Sequence, residues 1–179
     1  MAPLIVLITV TLAVRVAGMA GARRLRPWPV ALRAGLAAMF VLTGTAHFVG
    51  MRAELIRMVP SALPRPDLLV SLSGVLELAG AAGLLVRRTA PLAAACLTLL
   101  LVALFPANVY AAVEHITTAP EDALLPRTLM QLLFLAATST VAVSYRRNAP
   151  GGQTAAPSPL SAIGPARGPA RSMEHRPTP

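Results

Sequence analysis

The sequence predicts an all-α membrane protein, a four-helix transmembrane bundle preceded by an extra N-terminal transmembrane helix. Three observations carry that fold class. Of 179 residues, 55% are hydrophobic and only 13% charged, with a mean hydropathy of +0.65, a balance found in multi-span membrane proteins and not in soluble domains. Five apolar stretches each approach or exceed the roughly 20 residues that cross a hydrocarbon core about 30 Å thick. Arginines cluster after alternate stretches, where positive charge sets orientation.

The stretches run Pro3 to Ala20, Trp28 to Gly50, Leu68 to Val86, Pro91 to Val113 and Leu124 to Tyr145. Lipid offers no partner to a backbone N–H or C=O, so each stretch is read as a helix despite its Gly, Val and Thr content. The first ends in Ala17-Gly18-Met19-Ala20, which has the look of a signal-peptide cleavage site, but no positive n-region precedes it. Removal would also leave Arg23, Arg24 and Arg26 on the wrong side of the membrane. An uncleaved anchor is expected, with Arg15 near its cytoplasmic end, where a long side chain can snorkel.

Orientation follows from the arginines. Arg23, Arg24 and Arg26 follow the first stretch, Arg87 and Arg88 the third, and Arg146 and Arg147 the fifth; these sites are expected in the cytoplasm. Met51 to Asp67 mixes Arg52, Arg57 and Arg65 with Glu54 and Asp67, and Glu114 to Ala123 has three acids and no arginine; both are expected outside. Arginine without lysine has the look of a GC-rich bacterial genome, so the expected location is a bacterial inner membrane, multi-pass, with the C-terminus cytoplasmic.

Between the second and third stretches, Met51, Leu55, Met58 and Val59 give Met51 to Leu63 one apolar face, and Pro60, Pro64 and Pro66 stop it. A short amphipathic segment is expected, lying on the outer leaflet as a lid over the bundle. From Asn148 onward seven prolines gather with Gly, Ser, Thr and Arg, a composition that buries too little apolar surface to offset chain entropy. The domain reading is therefore residues 1–27 as helix and basic loop, 28–147 as the four-helix transmembrane domain, and 148–179 as a disordered cytoplasmic tail.

The net charge of +9 does not point to nucleic acid, because the basic residues sit between spans or in the tail and no stacking aromatics are interleaved with them. The lipid bilayer is the expected partner. Cys96 is the single cysteine, which excludes an internal disulfide, a CxxC redox pair or a cysteine-based zinc site within one chain. No HxxxH or ExxH spacing occurs in the spans, so no metal is expected.

A charge in the centre of a span costs roughly 2.5 to 3.5 kcal/mol to insert, so polar residues there are informative. Glu77 lies ten residues from both Asp67 and Arg87, and Gly74, Glu77, Gly80 and Gly83 recur every three residues, a row expected to pack one helical face against a neighbour and turn Glu77 inward. His47, Asn108, Arg127 and Gln131 lie within seven residues of the outer ends of their spans, about 5 to 15 Å deep at 1.5 Å per residue. The inner half is expected to be nearly all Leu, Ala and Val. Each polar residue also has a plain structural role open to it. Glu77 can tie helices by pairing with Arg127 or His47, and His47 can be a hydrogen-bonded interfacial residue. Asn108 can satisfy backbone groups freed by Pro106, and Arg127 can anchor to headgroups. Trp28 and Tyr110 read as interface aromatics.

Gly44-Thr45-Ala46-His47-Phe48, Met58-Val59-Pro60 with Leu63-Pro64, Gly74-Val75-Leu76-Glu77-Leu78-Ala79-Gly80 and Phe105-Pro106-Ala107-Asn108-Val109-Tyr110 follow in an order and spacing that resembles the DoxX and DoxX-like family of small bacterial membrane proteins. The resemblance covers Trp28 to Tyr145. It implies a four-helix membrane core and, for some relatives, redox association: the membrane subunit of a thiosulfate:quinone oxidoreductase, or a partner of thiol and superoxide defence enzymes. It brings no catalytic residue set. The leading expectation is an outer-half pocket lined by His47, Glu77, Asn108, Arg127 and Gln131 that takes a lipid-like molecule such as a quinone, in a protein that is not an enzyme on its own. A subunit of an oxidoreductase complex, working beside a redox enzyme partner, and a structural assembly factor are the alternatives.

Overall fold

The computed structural model describes residues 1–114, 116 and 123–147. The expected disordered tail, 148–179, and the loop acids Glu121 and Asp122 lie outside the described residues. The chain folds as α1 (Ala2–Met19), α2 (Trp28–Ala46), α3 (Arg52–Met58), α4 (Pro66–Leu85), α5 (Ala90–Val113) and α6 (Leu124–Arg147), with a 3-10 turn at Arg23–Leu25. No strand occurs among the described residues, and every helix except α3 is long and apolar enough to cross a membrane. The all-α class with five such helices is therefore observed.

Proline marks the starts. Pro3, Pro29, Pro66 and Pro91 stand in the first turn of their helices, where the missing N–H has no intrahelical partner to lose and the fixed φ suits the helix. Pro106 stands inside α5, which continues past it. α2 stops at Ala46, four residues short of the expected end, because the chain turns there and Gly50 takes a φ of 80°, open to glycine at no steric cost.

α2 packs against α4 and α6, and α5 packs against the same two helices, so these four close a ring; α1 packs on α2, and α3 on α4 and α5. The core inside the ring is built from Leu36, Met39 and Phe40 of α2, Leu84 of α4, Leu97 of α5 and Val141 of α6. Large apolar side chains such as Ile5, Leu72, Leu92, Leu99 and Leu125 cover the outside and stay exposed, as a lipid-facing surface requires.

The small-residue row on α4 does not face one helix. A Cβ at Gly74 would stand 2.6 Å from the His47 Cβ, whereas one at Gly80 would meet Leu97 and one at Gly83 would meet Ala93, both on α5. Nine residues make two and a half turns at 3.6 per turn, so Gly74 and Gly83 lie on opposite sides of α4. The row lets two neighbours approach instead of one. Gly35 does the same for α1, whose Thr11 Oγ1 would lie 2.0 Å from a Cβ built there.

Candidate functional site

The polar groups at the α3 end are set by the α2–α4 contact. Gly44 and Gly74 let the two helices close until an added Cβ at 44 would lie 3.2 Å from the Glu77 Cβ, and this brings Thr43 of α2 level with Glu77 of α4. Thr43 Oγ1 donates to Glu77 Oε2 at 2.5 Å. His47 follows α2 as its C-cap, and its Nδ1 lies 2.9 Å from the Thr43 carbonyl oxygen, one of the last-turn carbonyls without an intrahelical donor. A carbonyl can only accept, so Nδ1 carries the proton and Nε2 of the neutral ring is left as an acceptor. His47 and Glu77 are 8% and 5% exposed, so neither relies on bulk solvent.

The opposite wall comes from α5 and α6. Gln131 is 7% exposed and its Nε2 donates to the Leu101 carbonyl at 2.6 Å, leaving one further N–H on that amide. Arg127 Nη1 donates to Asn108 Oδ1 at 3.3 Å, which leaves the Asn108 NH2 as a donor pair. The sequence offered Asn108 as the group that satisfies backbone near Pro106. The structure gives the backbone contact to Gln131 and commits the Asn108 oxygen to Arg127, because Asn108 and Arg127 meet across the α5–α6 contact.

Between these walls lies a cavity of about 410 Å³, within the 300 to 1,000 Å³ common for small-molecule sites; His47, Glu77, Asn108 and Gln131 line it among apolar side chains. Arg127 does not line it and reaches it through Asn108. The segment expected as a lid does contribute to the cavity: Leu55 and Met58 of α3, then Val59, Pro60 and Leu63, form part of the wall. The hydrogen-bond donor to Glu77 is Thr43 of α2.

Arg52, which the sequence places on the polar side of the amphipathic segment, holds that lid. Its Nη1 donates to the His47 carbonyl at 3.3 Å and to Ser71 Oγ at 3.0 Å, and its Nη2 to the Asp67 carbonyl at 3.4 Å. One guanidinium thus joins the end of α2, the start of α3 and the first turns of α4. Thr43 and Ser73, both in the cavity wall, were also missed. Each lies four residues before a polar residue that was noticed, His47 and Glu77, and the i, i+4 relation puts such pairs on one helical face.

The other end of the bundle is not purely apolar either. Arg33 of α2 stacks on the Tyr145 ring of α6 at 5.4 Å from its centroid, and its Nη1 is buried without a hydrogen-bond partner. Thr98 Oγ1 donates to Thr138 Oγ1 at 2.9 Å between α5 and α6. Arg33 escaped notice because it lies five residues inside a stretch that is otherwise apolar. Among the described residues no three His, Cys, Asp or Glu side chains gather as a metal site would need.

Residues 36–142 match a family described as a domain of unknown function, DUF8561. They span the ring from α2 to α6 and contain the whole polar cluster, leaving α1 outside. No curated protein and no solved structure matches the chain.

Proposed function

Since the chain belongs to the DUF8561 family of domains of unknown function, we propose from the site itself that the protein binds a membrane amphiphile whose compact polar head, a quinone or quinone-like ring, occupies the cavity. The observation that carries this reading is the arrangement of polar groups in an otherwise apolar chamber. Acceptors, His47 Nε2 and the Glu77 carboxyl, stand on the α2–α4 wall, and donors, the Asn108 NH2 and the remaining Gln131 N–H, stand on the α5–α6 wall. A ring with oxygens at opposite edges suits such a pair of walls. Its carbonyl accepts from the amides, and in the reduced state its hydroxyl donates to His47 or Glu77. A polar head can take up the spare N–H groups of half-buried Asn108 and buried Gln131, so such a ligand is favoured over an apolar one.

The same reading takes the α3 end as exterior and the ends bearing Arg23, Arg24, Arg26, Arg87 and Arg88 as cytoplasmic in a bacterial inner membrane, following the distribution of positive charge. The site then lies in the outer half of the bilayer. Purification in mild detergent followed by organic extraction tests the proposal: a quinone recovered at about one per chain, and lost in Asn108→Leu and Gln131→Leu, is the expected result. Extracts free of quinone from folded protein would leave the Thr43–Glu77 bond as a helix tie and remove the ligand from the account.

A further inference from the structure

A second hollow adjoins the first. It is a groove of about 590 Å³ between α4 and α5, and Leu76, Leu100 and Ala103 belong to the walls of both spaces. From that shared point the groove follows α5 through Leu99, Cys96 and Leu92 to Thr89. Ala103 to Leu92 is eleven residues, about 16 Å along the helix, or roughly half the hydrocarbon thickness. Its lining is apolar throughout apart from Thr89 and Cys96, and Leu76, Leu92 and Leu99 are exposed on the outer surface of the bundle. The groove exists because Gly80 has no side chain where α5 presents Leu97. It therefore leads from a polar-walled chamber to the face that meets lipid.

We propose that this groove is the seat of a single apolar tail, and that the ligand of the cavity leaves and enters sideways between α4 and α5 past Leu76, Leu100 and Ala103. The inference rests on the proposed head-binding cavity and adds to it the class of ligand, a one-chain amphiphile lying parallel to the helices. Continuity of the two walls selects the occupant. A bulk lipid has no reason to be in register with the chamber, whereas a tail attached to a head already seated there must emerge at the shared residues. Because lipid is as apolar as the groove, the tail adds little affinity by burial. The signature is steric.

The test uses full-length protein in lipid nanodiscs and two probes, a dimethoxy-methyl-benzoquinone without a tail and the same ring with a decyl chain. Ala79→Trp fills the groove at an exposed position of α4 that is not part of the chamber wall, and Leu132→Trp on the lipid face of α6 is its control. Expected is tailless binding within about twofold of wild type in both variants, with decyl-ring binding weakened at least tenfold in Ala79→Trp alone. In wild type, a diazirine at the tip of the decyl chain is expected to crosslink to Leu92, Cys96 and Leu99 at least tenfold more than to Leu132 and Leu133, and excess unlabelled decyl ring is expected to suppress it. Equal decyl binding in wild type and Ala79→Trp, or crosslinks spread evenly over α5 and α6, overturns the tail groove while tailless binding keeps the head site. Absence of tailless binding in wild type overturns the quinone reading itself and this inference with it.

Discussion

Gly74 of α4 and His47 at the end of α2 are packed so closely that a methyl group at position 74 would stand 2.6 Å from the His47 Cβ and 2.9 Å from the Phe48 ring. The atoms it would meet belong to a Cβ and rings and not to the free end of a flexible chain, so Gly74→Ala has to move α2 from α4. Overpacking of this kind costs typically 1 to 3 kcal/mol. Thermal unfolding in detergent should show that loss. At Gly80 the neighbour is the Leu97 side chain, which can change rotamer, so Gly80→Ala should cost less. The reverse order would show that the α2–α4 approach is softer than its geometry implies.

Glu77 supplies the second prediction. Glu77→Gln keeps an acceptor for the Thr43 hydroxyl and should stay folded with a stability within about 1 kcal/mol of wild type. Glu77→Leu leaves the Thr43 hydroxyl only the Phe40 carbonyl, at 3.5 Å, and should cost about 1 to 3 kcal/mol. Quinone retention should fall in both, because each removes a carboxyl from the chamber wall. Full retention in Glu77→Gln would reduce Glu77 to a helix tie.

Arg52→Met should loosen the lid without unfolding the bundle. The three bonds of this guanidinium join α2, α3 and α4, but they are partly solvated, so their loss is worth about 1 kcal/mol, roughly fivefold in a local opening equilibrium. Hydrogen exchange of the amides of residues 52–58 should quicken by that factor while α5 is unaffected. No change in exchange would mean that apolar contacts of Leu55 and Met58 alone keep α3 in place.

Reporter fusions check orientation. A cytoplasmic signal is expected after Arg88 and after Arg147, and an exterior signal between Arg57 and Arg65. The opposite pattern at two of these sites would place the cavity in the cytoplasmic half of the membrane and discard the outer-half reading.

The helices were legible in the sequence because a lipid-spanning segment has to be apolar over its whole length and the chain contains five such runs. The lid was legible from its alternation of Leu55 and Met58 with Arg52, Glu54 and Arg57. The meeting of His47, Glu77, Asn108 and Gln131 could be anticipated from similar depth on different helices, since depth is a matter of counting residues. Partner identity was not legible. Rotation of one helix against another decides that Thr43 serves Glu77, that Asn108 serves Arg127, and that Gly80 faces α5 while Gly74 faces α2, and a helix that is apolar on all sides gives little sign of its rotation. Arg33 was overlooked because a single charge five residues into an apolar stretch gives no sign of the Tyr145 ring it stacks on.

The Thr98–Thr138 hydroxyl pair has a meaning beyond its own bond. Leucine meets leucine in lipid about as readily as it meets an acyl chain, so apolar surface gives α5 and α6 little preference for one alignment over another. Sliding either helix by a single residue would separate those hydroxyls and pull Gln131 from the Leu101 carbonyl. These contacts work as the notches of a key, concentrating the information that selects one alignment into very few positions. Elsewhere on the outward faces one aliphatic residue can replace another with little consequence, so sequence change in this protein can be extensive in number and still leave its architecture untouched.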